Sequence, residues 1–165
     1  IAEAAENIEA DFFIDIQGDE PLLDSDHIDY VVAEHQKHPE WDILLPSLPI
    51  DKPETQHICK VTHDSNFRIL YLSRAVIPQP FKHRPDFYLK HLSIISFTSE
   101  SLRHYSTLKP SNLEKVEGIE LLRAIENGMV VGTVLLEGDS FSVDIKQDFD
   151  KAIERMAIDK MRNKY

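Results

Sequence analysis

Cysteine is nearly absent from this sequence: Cys59 stands alone in 165 residues. No disulfide framework can be built within the chain, and the composition suits a reducing cytoplasm. Long apolar runs are missing too. Stretches such as Val130-Val131 and Val134-Leu135-Leu136 fall far short of the roughly 18 residues that cross a bilayer. No basic-then-apolar leader is present, so no membrane insertion is expected. Glycine (5) and proline (9) are too few and scattered for a collagen-like or low-complexity chain. Positive charge is the scarce sign, with 18 Lys and Arg against 29 Asp and Glu, a net charge of −11. Phosphate backbones are bound through Lys and Arg, so nucleic acid is not an expected partner.

What is present fits one folded unit. The apolar fraction of 42% supports a core, and residues 1–165 are read as a single domain. The first residue is Ile1 rather than Met, and a longer natural chain is expected.

The pattern alternates between strand and helix. Ile1–Ala10 reads as the end of a helix. The run Asp11–Ile16 reads as a central strand buried on both faces, stopped by Gly18 and Pro21. Asp24, Ser25 or Asp26 can cap a helix carrying Ile28, Val31, Val32 and His35 on one face. Strands are expected at Asp42–Leu48, Ile58–Thr62, Arg68–Leu72, Phe87–Phe97, Met129–Leu136 and Phe141–Val143. A proline-rich loop covers Ala75–Asp86, and a short helix covers Ser99–Leu108. Ser111 and Glu114 form a capping-box pattern opening a helix expected to end near Gly128. Phe149, Ala152, Ile153 and Met156 mark a last helix running toward Tyr165. The sum is an α/β domain with a mixed sheet, whose ligands are expected at the carboxyl ends of strands.

Several residues could carry chemistry there. Asp19 and Glu20 follow an apolar strand directly, and Asp144 follows Phe141-Ser142-Val143. Asp19 and Asp144 read either as solvated turn residues or as carboxylates for a hard cation shared with phosphates. Arg74 closes a strand, as a surface ion pair or as a fork for a carboxylate or phosphate. His91 shares a strand face with Leu89, Ile95 and Phe97, as a core histidine or a ligand. Glu120 and Glu117 lie on an apolar helical stripe, where Glu120 either pairs with Arg123 or meets a ligand. No Walker A, G-x-G-x-x-G, G-x-S-x-G or H-E-x-x-H motif occurs.

Taken in order, these segments resemble the CMP-Kdo synthetases, the cytidylyltransferases that activate 3-deoxy-manno-octulosonate (Kdo). The resemblance is carried by Gln17-Gly18-Asp19-Glu20-Pro21, Cys59-Lys60-Val61 and Ser73-Arg74-Ala75-Val76-Ile77-Pro78. Lys90-His91-Leu92, Glu120-Leu121-Leu122-Arg123 and Val143-Asp144 continue it. It implies a Rossmann-like nucleotidyltransferase three-layer α/β sandwich with a mixed sheet, lacking the family's N-terminal nucleotide-binding segment. It also implies a homodimer, expected through Phe87–Phe97 and the adjoining helix. The implied reaction joins CTP and a 3-deoxy sugar acid into a CMP-sugar with release of pyrophosphate, a cytoplasmic step of lipopolysaccharide biosynthesis. Asp19 and Asp144 are implied as Mg²⁺ ligands, and Gln17, Arg74, His91 and Glu120 as sugar-acid contacts. Two positions depart from the family: Ile95 stands where tyrosine is usual, and Leu121 where glutamine is usual. Both are expected to face the sugar. A non-catalytic sugar-acid-binding or dimerisation module of the same fold, and an unrelated acidic interaction domain, are the competing readings.

Overall fold

The computed structural model describes residues 1–159. The elements run α1 (Ala2–Ala5), β1 (Phe12–Ile16), α2 (Ser25–Lys37), β2 (Ile43–Leu44), β3 (Ser47–Ile50), β4 (Lys60–His63) and β5 (Ile69–Ser73). Then come β6 (Tyr88–His91), β7 (Ile94–Thr98), α3 (Ser99–Thr107), α4 (Asn112–Glu117), α5 (Leu122–Glu126), β8 (Val131–Gly132) and α6 (Lys146–Ala157).

Two four-stranded sheets result, ordered β1-β7-β2-β8 and β3-β6-β4-β5. The first is mixed, because β2 and β8 run parallel while β1, β7 and β2 pair antiparallel. The second is antiparallel throughout. Pro46 divides β2 from β3 and Leu92-Ser93 divides β6 from β7, so both segments pass from one sheet to the other. They bend together: the Leu92 amide donates to the Pro46 carbonyl at 2.8 Å.

Strand alternation builds the core on both faces of the first sheet. Ile43 and Leu45 join one buried cluster with Ile95, Phe97, Leu102 and Leu122. Leu44 and Ile94 point the other way, to Val31, Trp41 and Leu92. Helices therefore cover both sides, in a layered α/β arrangement. Asp24 caps α2, accepting from the Asp26 amide at 3.1 Å.

Several sequence expectations change. Asp42–Leu48 is two strands, β2 and β3, in different sheets, and Met129–Leu136 forms a strand only at Val131–Gly132. Asp11–Ile16 is an edge strand among the described residues and only half-buried, rather than central. Phe87–Phe97 is two strands, and both edges of β6 and of β7 are filled within the chain. Both strands are therefore interior to their sheets among the described residues. The helix opened by Ser111 ends at Gly118, whose φ of 64° closes α4 as a left-handed C-cap. Phe141–Val143 forms no strand, because its backbone serves the site described next. The stretch from Lys160 toward Tyr165 lies outside the described residues.

Candidate active site

A cavity of about 380 Å³ opens where the two sheets meet. Gln17 and Asp19 reach it from the loop after β1, and Arg74 from the end of β5. His91 comes from β6, Ile95 from β7, Glu120 and Leu121 from the turn between α4 and α5, and Asp144 from the segment before α6. A larger cavity of about 820 Å³ lies between α1 and α3. Its lining of terminal and helical side chains brings no comparable set of functional groups together, so the smaller cavity is the candidate site.

The two aspartates meet through backbone. The Val143 amide donates to the Asp19 carbonyl at 2.8 Å, which brings the segment carrying Asp144 to the loop carrying Asp19, and both residues line the cavity. Glu20 reinforces this from behind. Its buried carboxylate accepts from the Ser93 amide at 3.1 Å and from the Ser140 hydroxyl at 2.7 Å. Glu20 thus ties the loop after β1 to the junction of β6 and β7 and to the segment leading to Asp144. Asp19 and Asp144 are themselves exposed. Among the described residues, no group of three or more His, Cys, Asp and Glu forms a protein-only metal cage. Two exposed carboxylates on one cavity are the donor type that a hard cation combines with oxygens from phosphates and water.

His91 is deeply set, and its Nδ1 has no hydrogen-bond partner. Burial lowers its pKa, against an opposing pull from Glu20. The ring is therefore neutral near pH 7, and its buried Nδ1 is left without a hydrogen-bond partner.

Arg74 is more committed than the sequence indicates. Its Nε donates to the Glu117 carbonyl at 3.1 Å, and Nη1 to the carbonyls of Gln56 and His57 at 3.3 and 3.2 Å. Nη2 reaches the Gly118 carbonyl at 3.5 Å. A guanidinium has five N–H donors, so one remains.

Glu120 does not pair with Arg123. The turn at Gly118 rotates it off the α4 stripe and brings Arg123 to Glu114 instead, at 2.9 and 2.5 Å. Glu117 also leaves the stripe, accepting from Ser73 Oγ at 2.7 Å, Tyr71 Oη at 3.2 Å and the Arg74 amide at 3.0 Å. Burial works to raise the Glu117 pKa, and these hydrogen bonds outweigh it, holding the carboxyl below its usual value.

Sequence reasoning missed Tyr105, which lines the cavity and donates to the Glu120 carbonyl at 3.0 Å. Burial, ahead of the opposing Arg123 charge, pushes its phenol up to about 12. Its place on α3 resembles any amphipathic helix position, so no local signal marked it. His57 was missed as well, since it sits in an irregular loop.

Over residues 1–136 the chain matches the family described as Cytidylyltransferase. The chain belongs to the cytidylyltransferase family. Among curated relatives of this cytidylyltransferase-family chain, the 3-deoxy-manno-octulosonate cytidylyltransferase of Chlorobium limicola is 37% identical over 156 residues. That match covers 91% of this chain and 63% of the relative. The enzyme of the same name from Rickettsia akari is 33% identical over 150 residues, covering 90% and 59%. The chain thus spans about three fifths of the length of these relatives. A solved CMP:2-keto-3-deoxy-manno-octonic acid synthetase complexed with CTP superposes with a TM-score of 0.88 at 27% identity. It covers 94% of this chain and 66% of that one. HddC from Yersinia pseudotuberculosis, at a TM-score of 0.61 and 15% identity, shares the fold alone. The fold is therefore of the Rossmann-like nucleotidyltransferase type, with a mixed sheet.

Proposed function

We propose that the protein containing this chain transfers a cytidylyl group from CTP to a 3-deoxy sugar acid, Kdo or a deoxy or amino relative, releasing pyrophosphate. The observation that carries this reading is the convergence of Gln17, Asp19, His91, Glu120 and Asp144 on one cavity from segments far apart in the chain, in a member of this family. In such a reaction an anomeric hydroxyl attacks the α-phosphorus in line, and negative charge grows at both ends of the displacement. Asp19 and Asp144 are the residues that would hold Mg²⁺, which when bound supplies neutralisation of that charge. The rest of the task is to bring two anions together in fixed orientation. Gln17, His91 and Glu120 line the cavity and offer polar contacts to the sugar acid, and Arg74 has one N–H for its carboxylate.

Ile95 and Leu121 are buried at 8% and 7% exposure and give the cavity an apolar wall. A site built to hydrogen-bond a hydroxyl strongly rejects an analogue lacking it, whereas an apolar wall rejects the hydroxyl only weakly. This favours a sugar with a hydroxyl missing or replaced at that wall. The buried, free Cys59 is in keeping with a cytoplasmic reaction, and a homodimer completes the reading. No helix among the described residues is long and apolar enough to cross a membrane.

The test is pyrophosphate release by the full-length protein supplied with CTP, Mg²⁺ and Kdo or its relatives. Asp19→Asn and Asp144→Asn should each lower kcat by roughly 100-fold or more, the scale of losing a transition-state charge contact. Sugar-acid binding without any nucleotide turnover would favour the non-catalytic module instead.

A further inference from the structure

Lys60 is fully buried, yet it makes no use of the cavity beside it. Its ammonium donates to three main-chain carbonyls: Thr55 at 2.9 Å, Ile58 at 2.7 Å and Arg74 at 2.5 Å. An ammonium has three donors, so none is left for a substrate. Burying such a charge is costly unless every donor is met, and a well-packed apolar side chain often serves stability as well or better. The arrangement therefore calls for another explanation.

The loop before β4 supplies it. The carbonyls of Thr55 and Ile58 turn to Lys60, and the intervening carbonyls of Gln56 and His57 turn to the Arg74 guanidinium. Four consecutive carbonyls thus face two cations. The same guanidinium reaches the carbonyls of Glu117 and Gly118 on the opposite wall, which leads directly into Glu120 and Leu121. Arg74 is fixed at its own backbone from both sides, its amide to Glu117 Oε2 at 3.0 Å and its carbonyl to Lys60.

We propose that Lys60 is a positioning residue that, acting through Arg74, sets the spacing between the 55–58 loop and the 117–121 turn, and so the width of the cavity between His57 and Glu120. The inference rests on the proposed function only where it names the sugar acid as the ligand whose fit is set. Without the ammonium, the inward-facing carbonyls of Thr55 and Ile58 lose their donor, the loop relaxes, and the guanidinium no longer spans both walls in register.

The experiment is Lys60→Met in the full-length protein, with Gly132→Ala as a destabilised control away from the cavity. The expected result is a KM for the sugar acid raised tenfold or more and a KM for CTP within twofold of the parent. The control should not show this split. A sugar-acid KM unchanged in Lys60→Met, or both KM values rising together, overturns the proposal. If Lys60→Met does not fold, Lys60→Gln, which keeps two donors, carries the same comparison. Amide hydrogen exchange without substrate judges the brace separately. Peptides spanning 55–59 and 117–122 should both exchange faster in the variant, while β7 and α2 stay protected. Faster exchange at 55–59 alone overturns the coupling. A parent protein without cytidylyl transfer would sink the proposed function, and the exchange result would still decide on the brace.

Discussion

Gly132 lies so close to Trp41 that no side chain fits between them. A Cβ on Gly132 would stand 2.0 Å from Trp41 Cδ2, 2.3 Å from Cε3 and 2.5 Å from Cε2. Carbon atoms in contact prefer roughly 3.5 Å or more, so the overlap is about 1.5 Å and falls on the fused part of the indole. The ring has little room to retreat. It is 3% exposed and stacks on His38 with centroids 3.9 Å apart. The backbone of Gly132 is equally tied, pairing with Leu44 and accepting from the Leu45 amide at 3.0 Å. Overpacking of this kind costs about 1–3 kcal/mol, and with both partners held the upper end, about 3 kcal/mol, is expected for Gly132→Ala. For a domain of this size each kcal/mol moves Tm by roughly 2–4 °C, giving a fall of about 6–12 °C. Thermal unfolding followed by circular dichroism reads this directly. Adding Trp41→Leu to Gly132→Ala should cost clearly less than the two single changes summed, because the indole that the new methyl strikes is gone. A Tm for Gly132→Ala within about 2 °C of the parent, or strict additivity in the pair, would refute the steric argument.

Restoring the polar wall with Ile95→Tyr and Leu121→Gln should shift the kcat/KM ratio toward Kdo, over a deoxy or amino relative, by at least about tenfold, roughly 1.4 kcal/mol; an unchanged ratio removes these positions from specificity. Stability should decline as the pH falls below 6.5. Burial lowers the folded-state pKa of His35 and His91 from that value, so the unfolded chain takes up protons first and the loss accumulates until the folded-state values are reached. For His35, Nε2 must donate to the Trp41 carbonyl at 3.0 Å, which leaves Nδ1 to accept from Ser96 Oγ at 2.7 Å. Urea unfolding from pH 8 to pH 5 checks the slope, and a flat profile contradicts it. Glu114→Gln breaks the two-bond contact with Arg123 and weakens the capping box, and should cost about 2–3 kcal/mol in the same assay; a cost under about 0.5 kcal/mol would make the pair a surface ornament.

Local chemistry was legible wherever one stretch of chain settled the matter. Asp24 before α2 and Ser111 with Glu114 before α4 are caps whose partners lie within a turn. The β4–β5 pair was readable because Asp64 closes its own turn, accepting from the Asn66 and Arg68 amides at 2.8 and 2.9 Å. Gly118 was visible too, but an isolated glycine inside a helical pattern does not announce whether it ends the helix. Its left-handed φ decided that, and with it the choice of Glu114 over Glu120 as the partner of Arg123.

By itself, then, the sequence determined most element types, the alternation that fills both faces of the first sheet, and the polar residues that meet at the cavity. Those follow from side-chain period, capping and turn chemistry, which act over a few residues. Only the tertiary structure decided that Phe87–Phe97 divides between two sheets, because the Leu92 amide answers the Pro46 carbonyl 46 positions away in the chain. Only it turned the Phe141–Val143 backbone from a ladder to Asp19, and aimed Lys60 inward at three carbonyls. Each of these is a backbone donor or acceptor, or a buried charge, whose partner is remote in sequence. Such groups must be paired once buried, but nothing in their neighbours says with what.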